Sequence, residues 1–590
     1  MGAILALALA IFAPLSESHA ADLTEKNFVL ADAKKFKKAV EAADKGRSSS
    51  ARTILHQLAS GSWLREPALF DLVRLEFGLQ NWDKALLHAQ TLIRLRSSPS
   101  LERRLELLER EAAYRAALQK ARAAKGPASR KQAVTALQDF YALTPYRQWQ
   151  EREEGVGLLL DLMKKDAHPL FRDFLAEILV ALPQESTVRK RVFQEVKPAE
   201  VAALTEFPRL RFGEASVSTK PVYPDQDLFD KGMEKVLQEE WLDAEELFAK
   251  LVKEFPDSEH AERARFWIGR MLQERGLDEE ARTRFQEISA RAPLSWYGVA
   301  STVALGLSPQ VTKISLQGEP LEGAMVPRQR LSLLRAQALL SVGLAGHARD
   351  AMEDFFSHRP AGWAFGQDKA PRTLSLGNLY ATSGYHLGAF AAGMSLLEQN
   401  AGGIPEEAVS LIFPKPFAEE VAAAEKDTRI PSIVLWSLMK QESGFLPHAV
   451  SRANAIGLTQ VLPSTAREVD PAALPKDLFH PASAARIGAR YLRGLFDKFE
   501  GNTAVALAGY NAGPTRAAGW LRKFQESPIA KKGFRVDVFV DTIPFTETRK
   551  YVGTILRNLY WYRLREGTEP PKSLEELAQV WPKESSEKKP

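Results

Sequence analysis

Apolar residues recur at helical spacing along most of this chain. From about Leu23 to about Asn400 they return every three or four positions, in segments of ordinary helix length separated by short polar stretches. This period is typical of amphipathic helices rather than strands. A helix with one apolar face must bury that face against a neighbour, so the pattern predicts an all-α fold of packed helices.

Part of this helical region is an internal repeat. Three positions return 37 residues later: Ala244, Phe248 and Pro256 as Ala281, Phe285 and Pro293. The period is close to that of helix-hairpin repeats, whose units stack because none can bury its apolar face alone. We therefore expect an N-terminal helical-repeat superhelix, a solenoid.

A carboxylate interrupts one apolar helix face further along the chain. Leu435, Leu438, Met439 and Glu442 are spaced at i, i+3, i+4 and i+7, so they share one side of a helix. An apolar neighbourhood disfavours the ionised form of a carboxyl and raises its pKa. A carboxyl that keeps its proton near neutral pH can act as a general acid.

The ends of this helix are marked as well. Asp427 or Thr428 suits the N-cap, Pro431 the first turn and Gly444 the stop. The stop puts Glu442 in the last turn, where the negative end of the helix dipole also favours the neutral carboxyl.

A glutamate in this position is usually a solvated surface residue, because Glu is rarely buried. Two features favour a catalytic role instead. Glu442 is the only acidic residue between Ile430 and Arg467, and a polar, turn-rich segment (443–460) follows it like the wall of a cleft.

Composition narrows the chemistry. The 590 residues include no Cys, which excludes disulfides, thiolate metal sites and a Cys nucleophile. A formal net charge of +5 on so long a chain favours weak attraction to an anionic surface and does not indicate nucleic-acid binding. No segment after the N-terminus is long and apolar enough to span a bilayer.

The N-terminus has the pattern of a secretory signal. Residues 3–15 form a short apolar core, and Ser18 and Ala20 are small residues at the usual cleavage spacing, so we expect export with cleavage after Ala20. No Lys or Arg precedes the core, and an uncleaved anchor is the alternative, although the core is too short to span a membrane. Export without disulfides suits a bacterial periplasm.

Four short motifs occur in a fixed order between about Phe413 and about Glu566. They are Gln441-Glu442-Ser443, Gly457-Leu458-Thr459-Gln460, Tyr510-Asn511-Ala512-Gly513 and Ile543-Pro544-Phe545-Thr546-Glu547-Thr548-Arg549. This ordered set resembles the soluble lytic transglycosylase family. The resemblance implies a lysozyme-like (goose-type), mainly α catalytic domain that cleaves the glycan strands of bacterial peptidoglycan.

With this resemblance, the chain divides into consecutive segments. They are a signal peptide (1–20), a first helical superhelical region (21–212), a TPR-like helical-repeat region (227–405), the catalytic domain (413–566) and a C-terminal tail (567–590). A Ser-, Thr- and Pro-containing stretch at 213–226 separates the two helical regions.

The reaction that the resemblance implies needs a single acid. Glu442 would protonate the oxygen between N-acetylmuramic acid and N-acetylglucosamine, and the muramic C6 hydroxyl would then attack C1 to give a 1,6-anhydro ring. An internal nucleophile has a high effective concentration, so no second carboxylate is required to activate water. The alternatives are a muramidase-type hydrolase of the same bond and an inactive helical-repeat scaffold that binds the wall.

Two motifs near the acid supply candidate binding residues. Ser443 could orient the acid or contact the sugar, or it could be an ordinary polar residue at a helix end. Gln460 has the donor and acceptor that suit an acetamido sugar, or it braces its own loop. Thr459 stands where the family usually has Met, which places one apolar contact to the sugar in question. Gly509 stands where the family usually has Ala.

The later motifs supply the other candidates. Tyr510 and Asn511 end an apolar helix that should deliver them to the cleft, where a Tyr can hydrogen-bond and pack against a sugar. The alternative is a helix end with Asn511 as its left-handed stop. By resemblance Glu547 supports the site or binds substrate; otherwise it pairs with Arg549.

No metal and no cofactor are expected, because His448 and His480 lack metal-ligand spacing. The expected partner is the peptidoglycan glycan strand. The helical repeats offer a surface for wall-synthesis or divisome proteins. Neither a nucleic-acid partner nor a stable membrane span is expected.

Overall fold

The structure, a computed structural model, describes residues 20–95, 99–142, 157–162, 194, 224–313, 327–357, 370–400, 403–451 and 453–580. Helices make up nearly all of the secondary structure in these ranges, beside one pair of two-residue parallel strands. The all-α class predicted from the apolar spacing is therefore confirmed. No helix within the described ranges is both long enough and apolar enough to cross a membrane.

The helices that precede the first strand are α1 (Ala20–Asp44), α2 (Ser48–Gly61), α3 (Arg65–Gly78), α4 (Trp82–Arg94), α5 (Pro99–Ala123), α6 (Pro127–Ala142), α7 (Pro224–Leu237), α8 (Trp241–Glu254), α9 (Glu259–Glu274), α10 (Asp278–Arg291) and α11 (Trp296–Ala304). They are followed by β1 (Val311–Thr312), α12 (Pro327–Ser341), α13 (Ala345–Ser357), α14 (Ala370–Thr382), α15 (His386–Glu398), β2 (Ile404–Pro405), α16 (Glu406–Ile412), α17 (Ala418–Thr428) and α18 (Ser432–Ser443). The remaining helices are α19 (Pro463–Val469), α20 (Pro481–Lys498), α21 (Thr503–Ala512), α22 (Pro514–Gln525), α23 (Val536–Thr542), α24 (Thr546–Arg565) and α25 (Leu574–Ala578).

The chain forms two compact units, and the first contains α1–α6, α12 and α13. Successive helices pack on each other, and α1 also packs on α12. The core includes Phe36, Leu55, Leu69 and Leu339, all buried. This unit thus joins helices from both sides of a long sequence insertion.

The second unit contains α7–α11 and α14–α25. β1 pairs in parallel with β2, with Val311 opposite Ile404. The repeat helices and the helices that carry the four motifs therefore belong to one unit. The boundary expected between residues 405 and 413 lies inside it.

The 37-residue repeat corresponds to two helix hairpins, α7–α8 and α9–α10. In each hairpin the repeated Phe packs on a glycine of the first helix. A Cβ atom on Gly232 would lie 2.5 Å from the ring of Phe248, and one on Gly269 would lie 2.8 Å from the ring of Phe285. The close approach needs glycine at both positions, so the hairpin repeat predicted from the sequence is confirmed.

The helix starts follow the same repeat. Ser258 and Ser295 cap α9 and α11 by accepting a backbone N–H on the side-chain oxygen. Each hydroxyl also donates to an acid of the preceding hairpin, Asp225 at 2.6 Å and Glu262 at 2.9 Å. Since an N-cap contributes about 1 kcal/mol, each hairpin helps to fix the start of the next.

Side chains of the repeat helices hold α23 in place. The carboxylate of Asp541 accepts hydrogen bonds from Trp267 Nε1 at 2.6 Å, Tyr297 Oη at 2.8 Å and Arg263 Nη2 at 3.0 Å. Asp541 and Arg263 are both buried. Donors from α9 and α11 thus converge on a single carboxylate of α23.

The C-terminal segment differs from the sequence expectation. Leu574 and Leu577 of α25 are buried, and the Thr503 hydroxyl donates to the carbonyl of Ala578. Residues 574–580 therefore pack against the rest of the unit through the buried leucines and the bond to Thr503, and are not part of a free tail. Residues 1–19 of the expected signal peptide, 213–223 of the expected linker and 581–590 lie outside the described residues.

Replacing Asp541 by Ala is expected to lower the free energy of unfolding by about 3–5 kcal/mol, since it leaves Arg263 buried without its carboxylate. The control is Asp427→Ala, which removes an exposed pair with Arg490 and should cost at most about 1 kcal/mol. Urea unfolding followed by circular dichroism measures both. Equal small losses in the two variants would contradict the role of Asp541.

Candidate active site

Glu442 lies in the last turn of α18, as the spacing predicts. Leu435, Leu438 and Met439 are fully buried, and Gly444 ends the helix with a left-handed φ of 57°. The side chain of Glu442 is half-buried. The sequence therefore located both the apolar face and the stop that set the position of the acid.

The start of α18 differs from the expectation. Asp427 and Thr428 belong to α17, which ends where Arg429 adopts a left-handed φ of 64°. Pro431 is the N-cap residue of α18, with no side-chain cap. The expected cap is wrong because Thr428 turns its hydroxyl back to a carbonyl of its own helix, an alternative always open to Ser and Thr.

Tyr551 of α24 contacts the acid directly. Its hydroxyl donates a hydrogen bond to Oε1 of Glu442 at 2.5 Å, and the residue is only 4% exposed. Because Oε1 accepts this bond, the proton of the neutral carboxyl is placed on Oε2. The sequence analysis missed Tyr551; its only signal was its place one helical turn after Glu547.

The environment keeps the acid protonated. Burial raises the pKa of Glu442 to about 7, and the negative charge of Glu547 also raises it, whereas the hydrogen bond from Tyr551 lowers it. The direction is the one expected from the apolar helix face. Desolvation is the largest cause, and it comes from the packing of whole helices around the carboxyl.

Ser443 and Gln460 both contact backbone carbonyls. The Ser443 hydroxyl donates to Leu458 O at 2.8 Å, and the amide nitrogen of Gln460 donates to Ala449 O at 3.1 Å and to Gly457 O at 2.9 Å. These contacts correspond to the structural alternatives considered for the two residues. They tie the end of α18 to the following loop.

The loop itself depends on two close approaches. Gly457 has a φ of 80°, and a Cβ atom there would lie 1.9 Å from the carbonyl oxygen of Leu478, so only glycine fits. Thr459 is fully buried against Gly488 and donates to Ala484 O at 2.9 Å. The side chain of Thr459 thus faces α20, in agreement with the expectation that Thr459 need not make the apolar sugar contact of the usual Met.

Tyr510 is held by the loop that follows the acid and by a neighbouring ring. Its hydroxyl donates to the carbonyl oxygen of Thr459 at 2.8 Å, and its ring packs against Tyr491 with centroids 5.1 Å apart. Burial raises the pKa of Tyr510, and the charge of Glu442 raises it further. The end of α21 therefore lies within electrostatic reach of Glu442.

Asn511 connects α21 to α24. Its Oδ1 accepts a hydrogen bond from Thr548 Oγ1 at 2.7 Å. Asn511 is inside α21, and Gly513 adopts the positive φ, 92°, that ends the helix. The alternative that made Asn511 the left-handed stop is therefore wrong, since glycine takes that conformation at less cost.

Glu547 lies exposed in the first turn of α24, and its charge acts on Glu442. Arg549 instead donates to the carbonyl of Ile543 at 2.9 Å and to Thr546 Oγ1 at 3.2 Å. Within the described residues no ion pair joins Glu547 to Arg549, so that alternative is wrong. The motif thus presents Glu547 to solvent beside the acid.

The two histidines near the site have ordinary surroundings. The ring of His448 packs against Phe479 with centroids 5.8 Å apart, and His480 precedes the first turn of α20. In the part of the chain that the structure describes, no cluster of His, Cys, Asp or Glu is arranged to hold a metal ion.

Residues 419–532 match the family of the Transglycosylase SLT domain. A Haemophilus influenzae protein named as a candidate soluble lytic murein transglycosylase is 34% identical over 180 residues, 29% of this chain and 29% of that protein. The soluble lytic murein transglycosylase of Escherichia coli K12 is 31% identical over 166 residues, 27% of this chain and 24% of the relative. The chain thus aligns with less than a third of the length of these curated relatives.

Among solved structures, the 70 kDa soluble lytic transglycosylase of Escherichia coli is similar with a TM-score of 0.47 and 16% identity, covering 96% of this chain and 87% of that chain. The family match includes the first three motifs and ends before Glu547. The resemblance of this region to the soluble lytic transglycosylase family is confirmed.

The raised pKa of Glu442 predicts that the native chain and the Glu442→Gln variant differ in stability in a pH-dependent way. This difference can be measured without any reaction. The folded pKa of about 7 lies above the ordinary value of 4.5, so ionisation destabilises the native state progressively between these two pH values. Glu442→Gln cannot ionise and keeps an acceptor for Tyr551. It should equal the native chain in stability below pH 4.5 and exceed it above pH 7, by up to about 3 kcal/mol.

Urea unfolding at a series of pH values measures this difference. A matched Glu526→Gln variant serves as the control, because that side chain is exposed and its charge is not among the causes of the raised pKa of Glu442. A stability gap between Glu442→Gln and the native chain that stays constant from pH 4 to pH 8 would show that the acid is not desolvated.

Proposed function

We propose that this chain, whose residues 419–532 form a transglycosylase SLT domain, is a peptidoglycan lytic transglycosylase. It would cleave the β-1,4 bond between N-acetylmuramic acid and N-acetylglucosamine and form 1,6-anhydromuramic acid. The observation that carries the proposal is Glu442, a desolvated carboxyl with a pKa of about 7 that Tyr551 holds through one oxygen.

In the first half of the reaction Glu442 is the general acid. The hydrogen bond from Tyr551 occupies Oε1, so Oε2 carries the proton and donates it to the glycosidic oxygen. The bond from the muramic C1 to that oxygen breaks, and the departing sugar keeps the proton as a hydroxyl. General acid catalysis of this kind contributes about 10²–10⁴-fold in rate.

In the second half Glu442 is the general base. The ionised carboxyl accepts the proton of the muramic C6 hydroxyl while that oxygen bonds to C1, which closes the anhydro ring and regenerates the acid. No water is consumed. Tyr551 stabilises the ionised carboxylate of Glu442 through its hydrogen bond. This is the state of Glu442 after it has given its proton to the glycosidic oxygen.

The rival reaction is hydrolysis of the same bond, and Glu547 is the observation that favours it. An inverting or retaining hydrolase uses a second carboxylate to activate water or to attack the sugar, and the charge of Glu547 acts on Glu442. Glu547 is exposed, which suits substrate binding as well. The two reactions differ by one water in the product.

The remaining candidates act through the acid's surroundings. We assign Ser443, Gln460, Tyr510 and Asn511 to holding the loop and α24 around Glu442, with the amide oxygen of Gln460 turned to an acetamido group.

The proposed setting is the bacterial cell wall, reached by export to the periplasm. The helical repeats would present a surface to wall-synthesis or divisome proteins.

Glu442→Gln is expected to fold normally and to lose at least about 10²-fold in turnover of purified sacculi, because the general acid is removed. Mass spectrometry of the native digest should show anhydro ends, and Glu547→Gln should leave their mass unchanged. Reducing ends one water heavier, abolished in Glu547→Gln, would replace the proposal by the hydrolase. Native turnover by Glu442→Gln would remove the acid from either mechanism.

The pKa of Glu442 predicts the alkaline limb of activity. Turnover should fall as pH rises through about 7, because the acid must hold its proton to start the reaction. Tyr551→Phe removes a hydrogen bond that lowers this pKa and should move the limb upward. Leu438→Gln admits water to the buried face and should move it downward.

The pH–rate profiles of kcat/KM for the three proteins measure these shifts. Opposite movement of the limb in the two variants separates the two causes from a general loss of packing. The same limb in all three proteins would show that desolvation and Tyr551 do not set the pKa of the acid.

A further inference from the structure

Two cationic side chains lie close together where α18 crosses α24, and we call them the cationic pair: Lys440 and Arg557. Both are half-buried. The crossing is fixed beside them, because Asn558 donates to the carbonyl of Ser437, one turn before Lys440, at 3.3 Å. The positive charge of Arg557 acts on Lys440, so two like charges share one place in the fold.

The ammonium group of Lys440 contacts aromatic rings and no carboxylate. Its Nζ lies 4.4 Å from the ring centroid of Phe390 and 5.3 Å from that of Phe413. An ammonium group has three N–H donors, yet Lys440 forms no hydrogen bond and no ion pair within the described residues. The rings offset part of the cost of burying the charge and leave these donors without an acceptor.

Arg557 is bonded only to neutral groups. Its Nη1 donates to the carbonyl of Leu294 at 3.2 Å, and its Nη2 donates to Oδ1 of Asn558 at 2.7 Å. Its Nε is buried and has no acceptor within the residues that the structure describes. Burial lowers the pKa of Arg557 to about 10, so the guanidinium group stays charged at neutral pH without a counter-charge.

A third donor lies one helical turn further along α24. Trp561 is only 1% exposed, and its Nε1 has no acceptor in the described part of the chain. Its ring stacks on Phe413, the ring that also contacts Lys440, with centroids 5.7 Å apart. Buried donors in native proteins are almost always bonded, so donors of this kind indicate a bound water or ion.

The charges favour an anion over a water molecule. Among the described residues no acid acts on either member of the cationic pair, and the only titratable group beside Arg557 is Tyr562. Buried charges are normally paired, because an uncompensated one is costly. A water molecule accepts from the donors but leaves the repulsion between the two cations in place, whereas an anion removes both costs.

We propose that the cationic pair binds a small anion, a halide or a short carboxylate, through charge-assisted hydrogen bonds from Lys440 and Arg557. The anion would join α18 to α24 on the side of α18 that faces away from Glu442, and it would stabilise the packing of these two helices. The inference does not depend on the proposed reaction, since it requires neither substrate nor turnover.

Binding of the anion should be coupled to uptake of a proton. Burial and the charge of Arg557 lower the pKa of Lys440 to about 7, so without the anion this lysine is mostly neutral above that pH. A bound anion favours the charged lysine and raises its pKa. The affinity should therefore be nearly constant at lower pH and fall about tenfold for each pH unit above 7, until the raised pKa is reached.

Thermal unfolding of the full chain at about pH 6 tests the site. The probes are sodium chloride and sodium acetate, compared with sodium gluconate at the same ionic strength so that general screening is constant. The native midpoint should rise with chloride or acetate relative to gluconate, by mass action. Lys440→Met keeps an apolar contact with the two rings and should lose this rise, with affinity weakened about tenfold or more.

Two further variants separate the cationic pair from general effects. Lys523→Met removes an exposed lysine of α22 and should keep the native response to each salt. Lys440→Arg stays charged throughout the accessible pH range, so it should still bind the anion and should lose the fall in affinity above pH 7. Isothermal titration calorimetry of the native chain, in two buffers of different ionisation enthalpy at about pH 7.5, measures the proton uptake directly.

The outcomes decide the proposal. The same midpoint in all three salts, or an equal rise in the native chain and in Lys440→Met, would overturn the anion site. Binding without proton uptake at about pH 7.5 would remove Lys440 from it, as would a fall in affinity above pH 7 that persists in Lys440→Arg. If Lys440→Arg does not fold, the calorimetry of the native chain decides the role of Lys440 alone.

Discussion

The packing of α24 against α18 is the constraint on which the chemistry of this protein depends. It brings Tyr551 to Glu442 across 109 residues of sequence and removes water from the carboxyl. A buried hydrogen bond from Asn558 to the carbonyl of Ser437, at 3.3 Å, fixes the same two helices further along. If the two helices separated, water would reach the carboxyl and its pKa would return towards the value of an ordinary glutamate.

The position of α24 is in turn set by the helical repeats. Gly553 lacks a side chain where Trp296 of α11 packs, with a Cβ atom there only 3.1 Å from the indole. Lys550 pairs with Glu259 at 2.5 Å, and Asp541 binds three donors from α9 and α11. The repeats are therefore more than an appended surface, because they support the helix that desolvates the acid.

Local sequence periodicity predicted much of this arrangement and missed the rest for a physical reason. The apolar face of α18 and its stop at Gly444 follow from residues within one or two helical turns of each other. The repeat hairpins follow from a 37-residue offset between identical residues. Tyr551 and Asp541 act across more than one hundred residues, and no local pattern distinguishes them from other core residues. Their partners are set by tertiary packing, which the local patterns of a single sequence do not reveal.

The sequence also left open the roles of polar residues that could serve either a ligand or the backbone. Ser443 and Gln460 have both capacities, and the structure shows both bonded to carbonyls of the loop. The wrong expectation for Thr428 has the same origin, since its hydroxyl could cap the next helix or bond to its own. In each case the choice is decided by which acceptor the fold brings within reach.

Lys440 shows that the raised pKa of the acid is a property of the helix as a whole. It lies two residues before Glu442, so it faces nearly the opposite side of α18, where its ammonium is 4.4 Å from the ring centroid of Phe390 and 5.3 Å from that of Phe413. Burial and the nearby charge of Arg557 lower its pKa to about 7. A helix buried on both sides shifts an acid upward and a base downward for the same reason.

For Lys440, the contacts with aromatic faces offset part of the free-energy cost of burying its charge. At Glu442 the proposed reaction depends on the same cost, because it favours the protonated carboxyl. A carboxyl that ionised readily could not hold its proton at neutral pH, so the destabilisation of its charged form is what makes it an acid in that range. The fold therefore does not need a device aimed at Glu442 alone. It needs a helix packed closely enough to desolvate the carboxyl near its end, and the repeat helices support that packing through their contacts with α24.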